Sequence, residues 1–449
     1  MNQTRRWWQG VTRYQWLVFL VVALAWGFDS LDQRIFSLAR ISALASLMHR
    51  PGASLEVQSF AKTATAVFLV GWGFGGIVFG ALGDRLGRAR ILGMSILIYS
   101  LCTGLTAVSR SPTEFTALRF LTGLGIGGVY GLAVSTLAEA VEGRARVAML
   151  AWLQILSLLA NCAAAFIKMG IDALAGLGWL QASEGWRWLF TIGTVPALVG
   201  IVATFRLRES ESWLKMKAEG RLPTGIVDAY AQLLADKAER RNLLIGSLLS
   251  ISGVVGLWAI GEYAVDLLDA VFTAHFALRT PPQDVHRLVS NAKNLAYMLQ
   301  MLGGACGMLA FTYLVNRIGR RPAFVIGFSA ALIVTLFVYG KLQSPADAYW
   351  MMPLLGAAQL SVFAGFSIYL PELFATRVRG TGVSFAYNSG RFAAAAGSLG
   401  SALLTSRVFG AYPSTWPLRY SAMVMCSIFL VGIIAALFAP ETRGKPLRE

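Results

Sequence analysis

Charge is what this sequence has least of. Only 14% of its 449 residues are Asp, Glu, Lys or Arg, where a soluble globular chain carries about 25%. The chain is 56% hydrophobic, and a single soluble core stops growing at roughly 250–300 residues. A bilayer is therefore its natural solvent, with room for about a dozen spans of ~20 residues. Histidine is scarcer still. The three present, His49, His275 and His286, fall in expected outer loops, and no Ser/His/Asp set or metal-ligand cluster accompanies them. Catalysis is not expected, and neither is a cofactor or metal. The four cysteines, Cys102, Cys162, Cys306 and Cys426, all lie in apolar segments without a CxxC pair. They suit core packing rather than a disulfide framework. No small-residue cleavage site follows the opening MNQTRRWWQG, so the first apolar run is expected to stay as a helix. No alternating strand pattern suggests a β-barrel.

What is present is long apolar runs. They cover about 14–39, 60–82, 91–109, 114–140, 146–170 and 187–206, then 242–272, 287–315, 322–341, 346–374, 381–408 and 417–439. Six spans, a charged stretch and six more spans predict an all-α integral membrane protein with twelve transmembrane helices. The expected domains are 1–206, a cytoplasmic linker at 207–241, and 242–449. The net charge of +16 is spread between the apolar runs rather than clustered, which argues against nucleic acid as partner. With both termini in the cytoplasm, most of the 39 lysines and arginines fall in the tails, the linker and the inner loops, as the positive-inside rule requires. The linker mixes both signs at helical spacing and reads as a solvated amphipathic segment, the alternative being a partner-binding surface.

The halves repeat. Arg85, Gly87 and Arg88 match Arg317, Gly319 and Arg320 at a shift of 232. Glu139, Arg144 and Arg146 match Glu372, Arg377 and Arg379 at a shift of 233. Two matches at nearly one shift imply two pseudo-symmetric six-helix bundles that arose by duplication. In transporters of this build the substrate site lies near mid-membrane, at the repeat interface.

These motifs resemble those of the major facilitator superfamily over nearly the whole chain. Gly83-Asp84-Arg85-Leu86-Gly87-Arg88 resembles its inner-loop signature, and Arg119-Phe120-Leu121-Thr122-Gly123-Leu124-Gly125-Ile126-Gly127-Gly128 its fourth-helix signature. Pro440-Glu441-Thr442-Arg443-Gly444-Lys445 resembles the tail of sugar porters and organic ion transporters. The stretch from Glu372 to Arg391 resembles the metabolite:proton symporters and organic anion transporters. The resemblance implies the major facilitator fold, in a chain working as a monomer in the plasma (inner) membrane. It further implies that Asp84, Arg85, Arg88, Glu139, Arg144, Arg146, Arg317, Arg320, Glu372, Arg377 and Arg379 form charge networks latching the halves in the outward-facing state. Within them, Arg144 or Arg146 is expected to reach Glu139, and Arg377 or Arg379 to reach Glu372. The plain alternative is that these charges only set topology. Asn316 stands where an acid would match Asp84, so the latch is expected to be stronger on the first bundle.

Ionisable groups within the hydrocarbon layer cost about 2.5–3.5 kcal/mol on insertion scales and usually face a cavity or a partner. Asp29 and Asp32 are three apart on the first helix and share a face. They resemble the acidic pattern of aromatic-acid:proton symporters, without the usual Gly-Tyr between the acids. Glu262 follows Asp29 at the repeat shift. Asp29, Asp32, Arg119 and Glu262 are the proton-coupling candidates, with Arg119 pairing with either aspartate. Asp266 and Asp269 read as wetted acids at the outer mouth. GLGIGG is a packing stripe and not a nucleotide loop, since no strand precedes it.

Gln154, Asn161, Tyr297, Gln300, Gln359, Tyr387 and Asn388 either line a cavity or hydrogen-bond between helices. Arg391 has no counterpart in the first half, where the shift lands on Leu158. Counted from Pro-Glu-Leu, it falls where organic anion transporters carry arginine. A planar guanidinium suits a carboxylate. Permanent pairing with an acid such as Glu262 is the alternative. The expected function is secondary active transport of a small organic anion, coupled to protons, by alternating access. The competing readings are a sugar or polyol carrier and a non-transporting receptor on the same scaffold.

Overall fold

The computed structural model describes residues 7–52 and 54–448, without side chains at 55, 182, 262, 282, 283, 286, 287, 398, 399, 401 and 402. The first half contains α1 (Arg13–Met48), α2 (Leu55–Leu86), α3 (Arg88–Thr106), α4 (Pro112–Ala140) and α5 (Gly143–Gly176). Then come α6 (Gly185–Ile192) and α7 (Pro196–Arg206), which together make one span. The linker carries α8 (Glu211–Ala218) and α9 (Ile226–Ala235). The second half contains α10 (Lys237–Val255), a π-helical turn at Gly256–Ile260, and α11 (Gly261–Ala277). After these come α12 (Pro282–Ile318), α13 (Arg320–Lys341), α14 (Pro345–Leu373), α15 (Arg379–Leu403), α16 (Trp416–Met425) and α17 (Ile428–Phe438). Among the described residues eleven helical segments are long and apolar enough to cross a membrane, and α15 completes the twelve.

Local chemistry sets the ends. Thr12 caps α1 through a reciprocal pair: its hydroxyl accepts from the Gln15 amide at 3.2 Å, and the Gln15 side chain accepts from the Thr12 amide at 2.9 Å. Ser111 accepts from the Glu114 amide at 3.1 Å, just before Pro112 opens α4. The sixth span breaks ahead of Pro196, whose ring removes a donor and crowds the preceding turn. Helices α1, α2, α5 and α12 run beyond the expected apolar spans, α1 to Met48 and α12 from Pro282. An apolar count stops at the hydrocarbon edge, whereas a helix continues into water wherever its backbone bonds are made.

Two compact units are distinguished by their internal contacts. The first comprises Met1–Leu243, Leu370–Asn388 and Pro446–Glu449, and the second Leu244–Tyr369 and Ser389–Lys445. Helix α15 passes from one to the other.

In the first unit α2 and α4 approach at backbone distance. A Cβ added at Gly75 would lie 1.9 Å from the Leu124 carbonyl oxygen, and one at Gly127 2.2 Å from that of Trp72. The glycine run is thus a packing stripe, as small residues are in membranes.

Each unit contains one copy of a one-residue turn. Gly87, at φ +108°, joins α2 to α3 in the first, and Gly319, at φ +99°, joins α12 to α13 in the second. Only glycine takes these angles without strain. There is also no room for a side chain, since an added Cβ would meet the Glu209 carboxylate at 2.4 Å or the Glu441 carboxylate at 2.5 Å.

Candidate functional site

In the first unit, the C-terminal ends of α2 and α4 carry the acids of a buried charge network. Asp84 is fully buried and accepts from Arg88 at 2.8 Å, the Gly380 amide at 2.9 Å, and the Thr381 amide and hydroxyl at 2.7 Å each. It therefore caps the N-terminus of α15, where unpaired amides and the helix dipole favour an anion. Glu139 accepts from Arg88, Arg379 and the Ser210 hydroxyl. Arg379 also donates to the Pro371 and Arg448 carbonyls, at 3.1 and 2.7 Å. A carboxylate between two guanidiniums satisfies more donors than an isolated pair.

Some pairings join residues that the sequence repeat did not link. Arg379 reaches Glu139, while Arg377 lies 3.6 Å from Asp236. Arg146 donates to the Val141 carbonyl at 2.7 Å. Arg85 and Arg144 are exposed, and Glu372 is buried. Helix ends that meet in space choose partners by proximity, which repeat spacing does not encode.

The linker takes part in this network and is more than a solvated strap. Glu209 accepts from the Arg88, Ala89 and Arg90 amides at 2.8, 3.3 and 3.2 Å, closing the start of α3. Trp213 donates from its indole to the Asp84 carbonyl at 2.8 Å. In the second unit Glu441 does for α13 what Glu209 does for α3, accepting from the Arg320 and Arg321 amides at 3.0 and 3.1 Å. Arg320 is buried there, and Arg317 packs over Tyr313 while its carbonyl accepts from Arg443. Sequence reasoning missed Glu209. The signal was present, because Glu209 and Glu441 stand 232 apart, the shift of the Arg85/Arg317 pair.

Deeper in the first unit lies a second polar cluster. Asp29, Asp32 and Arg119 are 0%, 1% and 0% exposed. Arg119 pairs with Asp32 at 3.6 Å and donates to the Thr106 hydroxyl at 2.6 Å. The Thr103 hydroxyl donates to Asp32 at 2.7 Å. Arg119 also stacks 4.7 Å from the Phe190 ring. The structure thus chooses Asp32 as the arginine's ion-pair partner. Glu262 lies outside the described side chains, and Asp269 pairs with Lys293 at the surface.

Beside these sits an aromatic group. Tyr130 and Tyr387 stack at 3.6 Å, with Trp26 at 4.9 and 6.1 Å from them. Trp26 donates to Gln154 at 2.8 Å. The buried Asn388 donates to the Ser384 and Gly127 carbonyls, at 2.8 and 3.3 Å. Asn161 donates within its own helix to Ser157.

In the second unit Gln359 donates to Thr335 at 3.0 Å, Gln300 is buried and Tyr297 is half-buried. Arg391 is 3% exposed, with its guanidinium 5.7 Å from the centre of the Trp258 ring. Among the described residues no three or more of His, Cys, Asp and Glu come together in a way that would hold a metal ion.

Similarity to known proteins agrees with this architecture. The cis,cis-muconate transport protein of Acinetobacter baylyi is 26% identical over 84% of this chain and 84% of its own. The niacin transporter NiaP of the same organism is 23% identical over 98% of this chain and 97% of its own. Among solved structures, the proton:xylose symporter XylE, a major facilitator superfamily protein, superposes with a TM-score of 0.75 at 20% identity. That match covers 97% of this chain and 98% of the other. The sugar (and other) transporter family model matches residues 33–224 and 293–449. With most of its length so matched, and with eleven long apolar helices among its described residues arranged in the major facilitator fold, the chain belongs to that family and is a multi-pass membrane transporter.

Proposed function

We propose that this protein is a secondary active transporter for a small, planar, unsaturated carboxylate, coupled to protons and working by alternating access. The observation that carries the reading is Arg391, a guanidinium buried in a membrane helix with an aromatic ring against it. Such a charge usually marks a substrate or ion path, and its planar fork matches a carboxylate. Flat rings suit a flat substrate. The relatives named for muconate and niacin support this class.

In this reading Asp32 carries the proton and Arg119 is its counter-charge, with Asp29 buried nearby. Bundles 1–206 and 242–449 alternate about the linker 207–241. The network around Asp84, Arg88, Glu139 and Arg379 forms and breaks once per cycle. Both termini are cytoplasmic, the membrane is the plasma (inner) membrane, and the working unit is a monomer.

The test is uptake of radiolabelled cis,cis-muconate, nicotinate and benzoate into proteoliposomes under an imposed inward proton gradient. Arg391→Ala should abolish uptake while leaving the yield of folded protein unchanged. Full uptake by the variant, or wild-type uptake blocked by xylose and not by carboxylates, overturns the proposal in favour of a sugar carrier.

A further inference from the structure

We infer that Thr103 is a positioning residue for proton coupling, whose hydroxyl sets how tightly the buried Asp32 holds its proton. The inference rests on Asp32 as the proton carrier of the proposed function and names the group that governs it.

The hydroxyl is aimed away from its own helix. A serine or threonine inside a helix often returns its hydroxyl to the carbonyl one turn earlier. On α3 Ser100 does so to Ile96 at 2.7 Å, and Thr106 to Cys102 at 2.8 Å. Thr103, between them, instead reaches across to α1 and donates to Asp32 Oδ1 at 2.7 Å. Packing holds it there. The Thr103 methyl faces Gly193, in the break between α6 and α7. A Cβ added at Gly193 would fall on that methyl and lie 3.5 Å from Asp32 Oδ1. A threonine has few staggered positions, so seating its methyl in this hollow turns its hydroxyl to the acid.

That hydroxyl makes the direct bond, and Arg119 does not. Arg119 Nη1 is 3.6 Å from Asp32 Oδ2, beyond hydrogen-bond length, while its Nη2 donates to Thr106 at 2.6 Å. Among the described residues Thr103 is the one group hydrogen-bonded to the Asp32 carboxylate. Other ionisable groups stand on the surrounding helices: Asp29 and Arg34 on α1, Tyr99 and Cys102 on α3, Cys162 on α5 and Arg187 on α6. Helices α2 and α7 carry theirs toward their ends. Among the described side chains none of these bonds to or pairs with Asp32.

The choice of a hydroxyl matters chemically. Burial disfavours the charge of a carboxylate, and a donor bonded to its oxygen favours it. A threonine hydroxyl can donate to the ionised acid and accept from the protonated one. The bond therefore serves both states, and it is stronger to the charged one. Without that donor the buried acid would keep its proton to higher pH, and release would lag.

The experiment compares Thr103→Val, Thr103→Ser and Asp32→Asn in proteoliposomes over a range of external pH. The substrate is whichever of cis,cis-muconate, nicotinate and benzoate the wild type takes up best. Thr103→Val keeps the shape and removes the donor. The pH of half-maximal uptake should rise by about one unit, with exchange between vesicle faces at one pH within about twofold of wild type. Thr103→Ser, which keeps the hydroxyl, should stay within about half a unit of the wild-type profile. Infrared titration of the purified proteins reads the same shift in the carboxyl band that Asp32→Asn removes. If the valine variant does not accumulate, Thr103→Ala serves the same comparison.

An unchanged pH midpoint in Thr103→Val beside a flat profile in Asp32→Asn overturns this inference and leaves the proposed function standing. So does a loss confined to maximal rate and melting temperature, since that is the mark of a structural role. Retained pH dependence in Asp32→Asn overturns the proton role of Asp32 together with this inference. No carboxylate uptake by the wild type overturns the proposed function and the inference alike.

Discussion

At the scale of single residues, the proposed function rests on a few charges that the fold buries and then satisfies unequally. Asp32 has one arginine and one threonine as partners, and both are fully buried with it. An acid so placed is a proton carrier only if losing its charge leaves the rest intact. Asp32→Asn should therefore abolish proton-driven accumulation and flatten the pH dependence of uptake, while substrate exchange across vesicles equilibrated at one pH continues. Retained pH dependence in the asparagine variant would move the coupling role to Asp29 or Glu262.

Sequence reasoning found these residues because an ionisable group in an apolar run stands out. It left Arg119's partner open between Asp29 and Asp32, since both lie on the first helix and the choice depends on side-chain rotation. It did not reach Thr103 at all. One hydroxyl in an apolar run carries no signal until the fold turns it toward a buried acid.

At the scale of elements, the two glycine turns with their capping acids repeat most closely. Glu441 is partly buried, which alone raises a carboxyl pKa. The amides of Arg320, Arg443 and Arg321 and the charge of Arg320 outweigh this and hold it below the ordinary value. A folded-state value below the unfolded one means that the ionised form stabilises the fold. Its contribution is complete above the unfolded value of about 4.3 and is lost as pH falls from there through the folded value. The melting temperature of the wild type should thus decline on acidification below about pH 4.5. Glu441→Gln should start a few degrees lower at pH 7 and converge with the wild type in acid, as thermal unfolding in detergent would show. Parallel curves would mean that Glu441 is not the cap the geometry describes.

The twelve helices were legible because hydrocarbon thickness fixes the length of an apolar run. The break at Pro196 and the π-turn at Gly256–Ile260 were not. The first is a covalent rule applied inside a continuous apolar run, and the second depends on a hydroxyl donated from a distant helix.

At the scale of the whole molecule, the charge network is the feature that a transport cycle would have to undo. Removing the Asp84 carboxylate leaves five buried donor atoms less well matched. The cost should be on the order of 2 kcal/mol, roughly a 30-fold change in a two-state ratio. Asp84→Asn should raise the inward-open population by about that factor, read by spin-label distances or by cysteine accessibility from the cytoplasmic side. An unchanged ratio would reduce these charges to topology signals.

The same network also has a bearing on how the protein is handled. Arg448 lends its carbonyl to Thr376 and Arg379, and its guanidinium to the Leu373 carbonyl and Glu239. Anything fused immediately after it, an affinity tag or a fluorescent reporter, would be tethered beside the machinery that changes during turnover. Proteins tagged at the amino end and at the carboxyl end would then be expected to differ in transport rate, although their sequences are otherwise identical.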